Sequence, residues 1–97
     1  MIEAENAQRP AIARTIAELC QERGPDKTAC PSEVARALAG SNEKEWRKLM
    51  PAIRQEAIRL AGDGLIVIKR KGKPVDPHNF KGIYRLGIVT SDRDKSV

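Results

Sequence analysis

Residues 42–64, NEKEWRKLMPAIRQEAIRLAGDG, decide how the rest of this chain must fold. Trp46, Leu49, Met50, Ile53, Ala57 and Leu60 recur at three- and four-residue spacing, which gathers them on one stripe of a helix. At about 100° per residue, Lys48, Gln55 and Arg59 fall nearly opposite that stripe, with Arg47 and Arg54 on one flank. One face is built to enter a core, while the other offers cations and an amide to a partner. Asn42 and Glu45 supply a capping pair at its start, and Gly62 and Gly64 close it. Pro51 disturbs the pattern. An interior proline costs about 3 kcal/mol or more, so the helix predicted over 43–62 is either kinked near residues 47–50 or preceded by a short lead-in turn. The apolar stripe keeps phase across Pro51, which favours a kink over a break.

Upstream, Cys30-Pro31-Ser32-Glu33 marks the start of a short helix predicted over 31–39. Cys30 takes the cap, Pro31 the first helical position and Glu33 the third, from which its carboxylate reaches back to the cap N–H. Ser32 as the cap is the other register. Val34, Ala35 and Leu38 form the inner side, and Gly40 ends the helix. Earlier still, Arg9-Pro10 suits a helix start, because the proton proline lacks is not needed at the first helical position. The helix predicted over 10–23 carries Ile12, Ile16 and Leu19, with Ala13 and Cys20 alongside, and Gly24-Pro25 stops it. Residues 1–9 read as a flexible leader, and Lys27-Thr28-Ala29 as a short edge strand.

Downstream the period shortens. Leu65-Ile66-Val67-Ile68 reads as a strand, Ile83-Tyr84-Arg85-Leu86 as its antiparallel mate, and Ile88-Val89 as an extension. Residues 69–82 between them are polar and hold Gly72, Pro74, Pro77 and Gly82, which predicts a long hairpin tip. Residues 89–97 read as a disordered tail. Helix, short strand, helix, helix and hairpin over 10–88 is the order of a winged helix-turn-helix domain. The expected class is therefore α+β, mostly α: three helices plus a C-terminal β-hairpin wing at 65–86.

Ninety-seven residues make one domain with one modest core. With only three aromatics the core must be aliphatic, and truncating Trp46 is expected to cost about 3–5 kcal/mol. The net charge of +5 is unevenly spread: residues 1–45 sum to −2 and residues 46–85 to +7. Such segregation is an electrostatic footprint for a polyanion; its plain alternative is a solvated basic face. No apolar run reaches the roughly 18 residues of a membrane span, and the acidic N-terminus lacks the apolar centre of a signal peptide. Two cysteines without export signals read as reduced thiols. A cytoplasmic protein without a membrane partner is expected.

In helix-turn-helix proteins the second helix of the pair enters the major groove while other elements hold phosphates. Arg47, Lys48, Arg54, Gln55 and Arg59 are the outward polar residues of the third helix, and Arg and Gln have the donor geometry for guanine and adenine edges. Lys69, Arg70, Lys71 and Lys73 put four cations in five residues beside Gly72, which suits phosphate or minor-groove contact. If about six cations meet phosphates, log K falls against log salt with a slope of about −5. Lysines along a hairpin edge also discourage strand-to-strand aggregation, with no partner implied. Pro51 lies on the face that would approach DNA, and Ile58 on its flank points to a protein contact.

Cys30 is the candidate for thiol chemistry, since helix N–H groups stabilise a thiolate. Glu33 opposes that ionisation, and His78, the only histidine, lies far along the chain; a small thiol filling a cap is the plainer reading. Cys20, Cys30 and His78 lack the count and spacing of a structural zinc site. Gly62-Asp63-Gly64 follows a helix and precedes a strand, the reverse of a phosphate loop. No metal, cofactor, catalytic residue or small-molecule substrate is called for. The expectation is a non-enzymatic module binding duplex DNA through the third helix and the basic wing, with transcription regulation as one role. The alternative is a protein-interaction or self-association module of the same fold.

Three blocks in order, CPSEVARAL (30–38), WRKLMPAIR (46–54) and KGKPVDP with KGIYRL (71–77 and 81–86), resemble a small bacterial family known as domain of unknown function 3253. The resemblance covers roughly residues 10 to 87 and implies a winged-helix-like fold with no established activity. The family pattern ends Gly-Pro-Ile-Arg-Leu, where this chain has Gly82-Ile83-Tyr84-Arg85-Leu86.

Overall fold

The computed structural model describes the backbone of residues 2–89 and the side chains of residues 9–89. Four α-helices precede a small antiparallel sheet: α1 (Ile2–Arg23), α2 (Pro31–Ala39), α3 (Glu43–Trp46), a 3-10 turn (Arg47–Leu49), α4 (Met50–Gly62), then β1 (Ile66–Arg70), β2 (Lys73–Pro74) and β3 (Arg85–Ile88). The topology is winged-helix-like. The sheet order is β2-β1-β3, and Ala29 bridges to Leu86 on the free edge of β3. Two backbone bonds make that bridge, Ala29 N–H to the Leu86 carbonyl at 2.8 Å and Leu86 N–H to the Ala29 carbonyl at 2.9 Å. The short strand expected at 27–29 is thus one residue wide.

Helix α1 begins well before the predicted start at residue 10, so the residues read as a leader are helical from Ile2 and Pro10 lies inside the helix. Two alanines and two glutamates, strong helix formers with the acids suited to a first turn, lie upstream of Arg9. The helix runs on despite the hydrogen bond Pro10 cannot donate. Except for Val89, the expected disordered tail lies outside the described residues.

Helix α2 has the predicted bounds, and its cap is Cys30 rather than Ser32. Cys30 N–H donates to Glu33 Oε1 at 3.4 Å, and the same carboxylate oxygen takes Arg23 Nη2 at 2.7 Å, tying the end of α1 to the start of α2. Asn42 caps α3 by accepting from Lys44 N–H at 3.0 Å. Glu45 does not complete a capping box; it turns toward Lys48 instead. Pro51 is resolved by the lead-in geometry: a 3-10 turn ends at Leu49 and Pro51 sits in the first turn of α4, where its missing N–H costs nothing.

The core is aliphatic. Ile12, Ile16 and Cys20 of α1 meet Val34 and Ala35 of α2, Ile53, Ala57 and Leu60 of α4, and Ile66, Ile68 and Leu86 of the sheet. Phe80 and Tyr84 close one side with rings edge to face, centroids 5.2 Å apart. Trp46 is not at the centre. It is half-buried on the rim with Leu49 and Met50, and the Arg36 guanidinium lies 5.6 Å from its ring centroid. Ile58, expected to be exposed, packs half-buried against the core.

The wing also departs from the expected long tip. Strand β1 continues to Arg70 and pairs with β2, Lys69 opposite Pro74 and Arg70 opposite Lys73, leaving Lys71-Gly72 as a two-residue turn. Both turn residues have positive φ, +54° and +81°, the conformation of a type I′ hairpin whose twist matches its strands. The rest of the segment folds back before β3, which pairs with β1 from Ile66 opposite Ile88 to Lys69 opposite Arg85. Strand pairing therefore starts two residues later along the chain than the 83–86 mate implied.

Candidate nucleic-acid interface

The nine residues singled out for DNA contact differ in what already holds them. Arg54, one turn into α4, is a brace. Its Nη2 donates to the Phe80 carbonyl at 3.0 Å, and its guanidinium lies 4.1 Å from the Phe80 ring centroid and 5.8 Å from that of Tyr84. Arg59 is clamped, with Nε and Nη2 donating to Glu56 Oε1 at 3.0 and 2.7 Å. Arg70 reaches across from β1, its Nε donating to the Ile83 carbonyl at 2.8 Å. Gly82 passes beneath that guanidinium at φ +86°, and a Cβ there would lie 3.0 Å from Arg70 Nη2. Both conditions favour glycine.

Arg47 and Lys48 stand on the 3-10 turn rather than on α4. Each has a local acidic neighbour: Arg47 pairs with Glu43, and Lys48 Nζ lies 3.7 Å from Glu45. Exposed pairs of this kind are worth only about 0–1 kcal/mol, so a phosphate can displace the carboxylate. Gln55, Lys71 and Lys73 are exposed and Lys69 half-exposed. Among the described residues, none of these four has a side-chain hydrogen bond or an ion pair. They are the groups whose donors are ready for a partner.

The wing and α4 are joined by the returning loop. His78 N–H donates to Asp76 Oδ1 at 2.9 Å, and a Cβ on Gly62 would lie 3.7 Å from His78 Nε2. Phe80 sits over Arg54 in the first half of α4. Residues 75–80 thus touch α4 near both ends, covering the Arg54 flank and leaving Pro51, Gln55 and Arg59 exposed along the helix.

Glu56, which residue patterning did not single out, organises the opposite flank. It is the only buried charged residue among those described, and Arg9 Nε of α1 donates to its Oε2 at 2.9 Å. Burial alone would raise its carboxyl pKa; hydrogen bonds and charge from Arg59 and Arg9 outweigh that and hold it below its ordinary value. The signal was faint: Glu56 stands three residues from Ile53 and four from Leu60, on the edge of the apolar stripe. Lys81 and Ile83, both exposed beside the wing, were also missed.

The two cysteines differ in burial. Cys20 is buried, and burial pushes its thiol up to about 11 against the pull of Arg23. Cys30 is half-buried, with Sγ 3.1 Å from Ser32 Oγ. Among the described residues no three His, Cys, Asp or Glu side chains gather for a metal ion, and no helix is long and apolar enough to cross a membrane. The Tyr84 hydroxyl is buried without a hydrogen-bond partner in the protein; burial raises its pKa, with Arg54 pulling the other way.

A model of the family described as protein of unknown function (DUF3253) matches residues 9–89. That span is most of the chain, and the protein belongs to this family. No curated protein matches the sequence.

Proposed function

For this member of the DUF3253 family, we propose a non-enzymatic module that binds duplex DNA through the basic wing and the outer face of α4. The observation that carries it is the set Lys69, Lys71 and Lys73, presented on and around a tight turn with no carboxylate partner among the described residues. Phosphate contacts of this kind position a protein without reading sequence. On α4, Gln55 is the exposed side chain able to make a bidentate contact to an adenine edge. Arg54 and Arg70 serve the fold, so base reading is narrow and affinity is largely electrostatic. With three wing lysines, and Arg47 or Lys48 released from its glutamate, four phosphates are engaged. The slope of log K against log salt is then about −3.5, shallower than a count of all the cations implies. Transcription regulation is one role such a module would serve.

Fluorescence anisotropy on mixed-sequence duplex across a salt series tests this. A slope near −3.5 that flattens in a Lys71→Ala/Lys73→Ala variant is expected. No detectable binding at low salt would withdraw the reading.

A second reading, a protein-interaction or self-association module, draws on an open groove of ≈ 410 Å³ lined by Ile12, Leu38, Leu49 and neighbours. Light scattering that shows a stable dimer, in a protein without DNA affinity, would favour it.

A further inference from the structure

Ile83 is the most exposed large hydrophobic residue described, at 84 %, yet its backbone is held firmly. Its carbonyl accepts from Arg70 Nε at 2.8 Å, Gly82 before it fits under the same guanidinium, and Tyr84 after it is buried against Phe80. An aliphatic side chain fixed in water by ordered neighbours is displayed rather than frayed. Its surroundings are cationic. Continuing the β1–β3 register past Lys69 opposite Arg85 sets Ile83 level with Lys71, and exposed Lys81 is two residues away. Residues 69–85 hold six basic side chains and one acidic.

The geometry points to Ile83 as an apolar wedge of a duplex DNA interface, entering a base step from the minor groove while Lys69, Lys71 and Lys73 hold the flanking phosphates. This rests on the DNA-binding reading above. Wedges of this type need one aliphatic side chain per step, and the unstacking they require costs least at a flexible step. A lipid surface asks for more. Stable anchoring takes more than one apolar signal, and Leu65, the other exposed large aliphatic residue, precedes the far end of β1. Leu65 lies six residue steps along the strand from the level of Ile83, roughly 20 Å, so the two do not merge into one lipid-facing patch.

The test uses the full chain and a short duplex carrying 2-aminopurine beside a TA step. Wild-type protein should raise the 2-aminopurine fluorescence as the base unstacks. Ile83→Ala should lose that rise and weaken binding about tenfold, less than the roughly fiftyfold of a buried isoleucine reduced to alanine because the cost of unstacking is also spared. Its salt slope should not change, because no cation is removed. Ile83→Leu should restore the rise. Ile83→Ala removes only exposed surface, so the fold is retained. Wild-type affinity and fluorescence in Ile83→Ala would overturn the wedge while DNA binding stands. No duplex binding by the wild type at low salt would overturn both. Binding to phosphatidylserine vesicles that Ile83→Ala loses, without duplex binding, would assign the residue to a lipid surface instead.

Discussion

Glu56 shows how one side chain can settle what several others are free to do. By holding Arg59 and Arg9 it pairs off a cation of the outer helix face and fastens α1 to α4. Its folded-state pKa is lowered, so its contribution is fully present above the unfolded value of about 4.3 and is lost as pH falls through the folded value. Glu56→Gln should therefore cost about 1–3 kcal/mol at neutral pH, measured by urea denaturation. The gap between variant and wild type should shrink in acid below about pH 4. A gap that stayed constant from neutral pH to pH 2 would show that the charge on Glu56 is not what stabilises.

At the scale of elements, the third helix of the sequence is two pieces with different duties. Helix α4 contributes Ile53, Ala57 and Leu60 to the core, whereas α3 buries nothing fully and Trp46 lies on the rim. Ile53→Ala should then cost about 2–4 kcal/mol. Trp46→Ala should cost less than that, about 1–2 kcal/mol, reversing the order that residue size suggests; thermal or urea unfolding of both variants decides it. The cap of α2 was legible to the residue because Cys30, Pro31 and Glu33 act over one helical turn. The start of α1 was not, since a proline that opens many helices is here carried inside one. The wing turn was hidden because Lys71 takes positive φ, a conformation the usual Asn-Gly signal would have announced.

For the whole molecule, the order of elements and the aliphatic core could be read from spacing, because period and punctuation are local. The availability of each cation could not. Arg9 meets Glu56 across 47 positions and Arg54 meets Phe80 across 26, and only the folded chain brings such pairs together. Those pairings shift the unpartnered charge from the helix toward the wing, the basis on which we propose a largely electrostatic DNA interface. The most direct test is a backbone amide chemical-shift map of the full chain titrated with duplex DNA at low salt. Perturbations concentrated at residues 69–73, 81–83 and around Gln55 are predicted. Perturbations confined to the groove around Leu38 and Leu49, or none at saturating duplex, would contradict the account.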